Sequence, residues 1–303
     1  MSIQFSTTSS GPWDEKYPHG SPGPPSTSST EPILYPDNPQ GTYIMKLLSH
    51  SWTDVSEMIV HCVRSSSQDI KYHPICALLC RSINYNQDLE IILAQYINIY
   101  NNLFFGRMVK SSAMDDSADN EVKIIFSQEL VTDELQAEEV ELNDYLGLTK
   151  SSFEDRFNRV TIYILDTRSI RPGWSYHEII REMLGTLAHE MIHAMHFMYT
   201  KYTGIRYATH GTNFQRAAQA IEQATRVSSG GERWIYPKIE LGRDFAVLFD
   251  VLHQEYKEPT DAEIRNMGLD VEELREIFRM HLPARSDTID QSDNSHDPTS
   301  SHS

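Results

Sequence analysis

The sequence is poor in cysteine, in positive charge and in long apolar runs, and each shortage removes a class of protein. Three cysteines, Cys62, Cys76 and Cys80, occur in 303 residues, too few for a disulfide framework. There is also no Asn-x-Ser/Thr glycosylation acceptor, so a reducing, intracellular compartment is expected. Lys and Arg number 26 against 43 Asp and Glu, a formal charge of −17. With no basic run to offset it, that charge repels a nucleic-acid backbone over most of the surface. No segment reaches the ~20 apolar residues of a bilayer span. The opening MSIQFSTTSS lacks the basic-then-apolar order of a signal peptide, so neither secretion nor membrane insertion is expected.

What is present suffices for one sizeable core, since 39% of residues are hydrophobic and 10% aromatic. Residues 1–42 are rich in Ser, Thr, Pro and Gly and residues 283–303 in Ser, Asp and His. Both bury too little apolar surface to offset the entropy of ordering, and both are expected to be disordered. Residues 43–87 read as a helical N-terminal extension, including one helix after a Thr53 cap with Val55, Met58, Ile59 and Cys62 on one face. Cys76 and Cys80, with His61 and His73 near them, lack the Cys-x-x-Cys spacing of a zinc ribbon, and buried thiols are the simpler reading.

From residue 88 the pattern sharpens. Leu89, Ile92, Leu93, Tyr96, Tyr100 and Leu103 recur at helical spacing up to Gly106. Strands are expected at 122–126 and 160–165, where Val160, Ile162 and Ile164 alternate with Thr161, Tyr163 and Leu165. Between them runs an acidic segment from Glu129 to Asp155, read as a solvated insertion. Ser175 and Glu178 have the form of a capping box opening a helix. Thr212 to Gln215 has the same form before a second helix through Ala217, Ala220, Ile221 and Ala224. After Gly230-Gly231, residues 232–282 read as two or three further helices, a C-terminal extension.

The capped helix carries His189-Glu190-Met191-Ile192-His193. Two histidines four apart project from one face on successive turns, close enough for both imidazoles to bind one Zn²⁺. Glu190, about 100° further round, is left to act as general base on a water molecule. With 13 histidines in the chain and Glu at ~8%, an accidental match is expected on the order of 0.05 times. Catalytic zinc needs a third ligand. His196 shares the face of His189 but sits ~10 Å along the axis, too far for one ion, and is read as a core contact. The metzincin extension is excluded because His196 and Tyr199 stand where it needs Gly and His. Glu222 has no supporting local pattern. His210, immediately before the next capped helix where the chain turns back, is the better candidate.

These residues, with His210-Gly211-Thr212-Asn213-Phe214 and, more weakly, Tyr100 to Gly106, resemble the SprT-like zinc metallopeptidases, which include the spartan proteases that digest proteins crosslinked to DNA. The likeness spans residues 88–227. It implies a zincin-like α+β fold with a small sheet, zinc held by His189, His193 and His210, and Glu190 as catalytic base. It also implies protein or peptide substrates, with DNA as a partner and a nuclear rather than cytoplasmic location; the acidic charge gives the DNA no support. No cysteine follows Cys80, so a cysteine-ligated zinc subdomain of the spartan type is not encoded in these residues. The alternative is a zinc-stabilised module that binds proteins without cleaving them. A narrower expectation is that the acidic segment 129–155 selects basic, unfolded polypeptides.

Overall fold

The computed structural model describes residues 45–72, 88–109, 122–127, 146–154, 157–201, 209–225, 239–252 and 257–282. The expected arm and tail, Cys76, Cys80 and His73, and the acidic stretch up to residue 145 lie outside these. The elements run α1 (Trp52–Tyr72), α2 (Leu89–Leu103), β1 (Val122–Ser127), β2 (Gly147–Glu154), β3 (Phe157–Leu165), α3 (Tyr176–Tyr199), α4 (Thr212–Thr225), α5 (Arg243–Leu252), α6 (Asp261–Asn266) and α7 (Val271–His281). This is an α+β arrangement. Among the described residues no helix is long and apolar enough to cross a membrane.

The sheet has the order β1-β3-β2. β3 pairs parallel to β1 and antiparallel to β2, in register from Gly147↔Ile164 to Glu154↔Phe157. β2 corrects the expectation that 129–155 is wholly a solvated insertion. Its sequence, GLTKSSFE, offers Leu148 and Phe153 but no period-two alternation, so β3 across the ladder, not the local pattern, makes it a strand. β3 alternates as expected, with Val160, Ile162 and Ile164 fully buried against α3.

Helix starts follow their caps. Ser175 and Glu178 form the expected capping box on α3, with bonds of 2.7 and 3.3 Å. In α1 the cap is Ser51, not Thr53: Ser51 N–H donates to Asp54 Oδ2 at 2.9 Å and Asp54 N–H to Ser51 Oγ at 3.1 Å. α2 buries Leu89, Ile92, Leu93, Tyr96, Tyr100 and Leu103 as its spacing requires, each worth ~1.5–3 kcal/mol of transfer free energy. α3 is buried along nearly its whole length, because the sheet, α1, α2 and α4 all pack on it.

That central position fixes the side residues of α3. His196 stacks on Trp52 of α1 at 4.3 Å and meets Ser56 Oγ at 3.2 Å, so it is the core contact expected of it. Cys62 is a buried free thiol, and burial pushes its pKa up to about 12, leaving it unreactive near neutrality. The C-terminal helices α5 to α7 share a smaller core of Val247, Leu248, Ile264, Met267, Leu274, Ile277 and Phe278.

Candidate metal centre

α3 and the turn before α4 bring three imidazoles to one point. Their Nε2 atoms form a nearly equilateral triangle, with His189–His193 at 3.0 Å and His210 at 3.1 Å from each. All three residues are buried. These spacings would let one ion reach all three nitrogens at the ~2.0–2.1 Å of a Zn–N bond.

The outer nitrogens decide what the inner ones carry. His189 Nδ1 lies 2.9 Å from the carbonyl oxygen of Leu241, which only accepts, so that nitrogen bears the proton. His210 Nδ1 lies 2.6 Å from Asp250 Oδ1 and donates likewise. With the proton on Nδ1, the neutral form of each ring presents a lone pair at Nε2, and the two face each other at 3.1 Å. Burial holds His189 and His193 well below the ordinary histidine pKa, so protonating either of these two rings does not readily relieve the repulsion. A cation among the three nitrogens does, and neutral imidazoles with outer N–H groups fixed by oxygen acceptors are what such a site requires. Phe214 of α4 backs the cluster, stacked on His193 at 4.8 Å and 4.6 Å from His189.

Glu190, about 100° round α3 from His189, meets β2. Thr149 Oγ1 donates to Glu190 Oε2 at 2.6 Å, while Oε1 has no partner among the described residues. Burial drives the carboxyl pKa well above its usual range, and the Thr149 bond opposes that rise. The contact needs a glycine at 147, because a Cβ there would stand 2.8 Å from Glu190 Cγ and Oε1 and 2.6 Å from Thr186 Cγ2.

Other expectations change here. Gln215 does not close a capping box on Thr212; its amide donates to the carbonyls of His210, at 3.1 Å, and Arg243, at 3.2 Å, and its oxygen accepts from Arg243 Nε at 2.9 Å. Glu222 stays out of the imidazole cluster, accepting the Leu241 N–H at 2.9 Å and facing Arg243. Thr149, Gly147, Leu241 and Asp250 were not foreseen. Each acts through residues distant in the sequence, and only Phe214, three residues into its helix beside His210, had a local cue.

Residues 175–232 match the model of the SprT-like family. The matched stretch contains all three histidines and Glu190. No curated protein and no solved structure matches the chain.

Proposed function

From a chain that is SprT-like across its histidine cluster, we propose a zinc-dependent peptidase with a zincin-like core over residues 88–227. In this reading His189, His193 and His210 hold the metal and Glu190 is the base. The observation that carries it is the convergence of three buried imidazole Nε2 atoms within 3.1 Å of one another, with a buried carboxylate on the residue after His189. When bound, zinc supplies Lewis-acid polarisation of a carbonyl and makes water more acidic.

The chain's own groups do the rest. Thr149 fixes one oxygen of Glu190 and leaves Oε1 to receive the proton of the attacking water and return it to the departing amine. The raised pKa of Glu190 suits an acceptor that must also give the proton back. Among the described residues β2 is paired on one side only, and a strand edge beside the base favours an extended polypeptide as substrate. Protein quality control or the digestion of proteins crosslinked to DNA fits this chemistry, and the net charge of −17 favours basic protein substrates over direct contact with DNA.

A zinc-stabilised, non-catalytic module is the second reading. It is favoured by the burial of Glu190 and all three histidines, since closed sites are characteristic of structural zinc. Glu190→Gln separates the two. The peptidase reading expects full zinc content and loss of cleavage of an unfolded protein substrate; undiminished cleavage by the variant, or none by the wild-type chain, refutes it.

A further inference from the structure

The histidine cluster is finished by residues beyond the stretch that matches the family, 175–232. Leu241 gives its carbonyl to His189 Nδ1. Asp250 of α5 takes three bonds at once, from His210 Nδ1 at 2.6 Å, the His210 backbone N–H at 2.9 Å and Thr209 Oγ1 at 2.8 Å. Asp250 is 1% exposed, so this is a buried carboxylate whose partners are the candidate ligand and its neighbour.

The segment is held in place independently of the histidines. Ile239 and Leu241 are buried in the main core, and the Leu241 N–H is bonded to Glu222. Arg243 is tied to Gln215 and to the carbonyls of Met267 and Gly268. Gly185, one turn before His189 on the same face of α3, sits beneath it: a Cβ there would be 2.2 Å from the Glu240 carbonyl oxygen. A glycine inside a helix costs ~1 kcal/mol relative to alanine, and this approach is the physical reason for one at 185.

We infer that residues 239–250 are a brace for the metal centre, with Leu241 and Asp250 as positioning residues that set the tautomer and aim of His189 and His210, so that metal binding and docking of this segment stabilise each other. The coupling is reciprocal by linkage: whatever factor the docked brace adds to metal affinity, bound metal adds to docking. The inference rests on the metal-site part of the proposed function but not on turnover.

The test uses the full chain, zinc and two variants that leave all three histidines in place. Asp250→Asn removes the charge facing His210, and Gly185→Ala lifts the segment off α3. Zinc affinity, read by chelator competition, is expected to fall 10- to 100-fold in each, and zinc is expected to slow amide exchange across 239–252 in the wild-type chain. Affinities within threefold of wild type in both folded variants overturn the inference. If neither variant folds, the wild-type exchange decides, and no change in 239–252 on adding zinc overturns it. A wild-type chain that binds zinc and protects the segment but cleaves nothing supports the brace while refuting the peptidase reading.

Discussion

Thr149→Val is the most informative single change. Valine matches threonine in shape, so β2 and its packing stay, but Glu190 Oε2 loses the donor at 2.6 Å. Thr149 and Glu190 are both fully buried, so water cannot readily replace the hydroxyl. A hydrogen bond to a charged group is worth about 1.5–3 kcal/mol, which as lost orientation of the base corresponds to a fall in kcat of about 10- to 100-fold. KM is expected to change little and zinc content not at all, because the Thr149 hydroxyl bonds to Glu190 and not to the histidines. The Thr149 bond lowers the Glu190 pKa against the larger upward push of burial. Removing it raises that pKa further, so the acidic limb of the kcat profile moves to higher pH. Thr149→Ser, which keeps the hydroxyl, is expected to restore both. Steady-state kinetics on an unfolded protein substrate across pH, with zinc analysis of each sample, make the measurement. A valine variant with wild-type kcat and an unmoved acidic limb refutes the role assigned to Thr149.

Gly147→Ala should act on the same carboxylate by crowding: the new methyl meets Glu190 and Thr186 at 2.6–2.8 Å, and overpacking of this kind costs about 1–3 kcal/mol. Thermal unfolding should show that loss together with reduced kcat, and an unchanged melting temperature contradicts it. His196→Phe should change the pH dependence of stability. Burial holds His196 at about 3 against its ordinary 6.5, so between those values the unfolded chain binds a proton that the folded chain does not. Stability contributed this way is intact above pH 6.5 and lost as pH falls, at about 1.4 kcal/mol per pH unit. Phenylalanine keeps a ring against Trp52 but cannot titrate, so denaturant unfolding from pH 7 to 5 should decline less steeply; parallel curves for the two proteins dispose of the idea.

The legible parts of the fold were those encoded over one or two helical turns. The apolar face of α2, the Ser175–Glu178 box and the alternation of Val160, Ile162 and Ile164 all appear where the pattern places them. β2 escaped because a mostly polar run becomes a strand only by pairing with β3. Gln215 was misread because its position fits a capping box, whereas its amide is engaged by Arg243, 28 residues away.

The sequence by itself determined the register of the chemistry. A helix puts residues four apart on one face, so His189 and His193 had to point together and Glu190 had to point elsewhere, whatever surrounded them. The tertiary structure decided the tautomers, the aim and the space. Thr149 meets Glu190 across 41 positions, Leu241 meets His189 across 52, and Asp250 meets His210 across 40. A lone Thr, a backbone carbonyl or a lone Asp leaves no periodic trace in the sequence, and its role exists only once packing has excluded water from both partners.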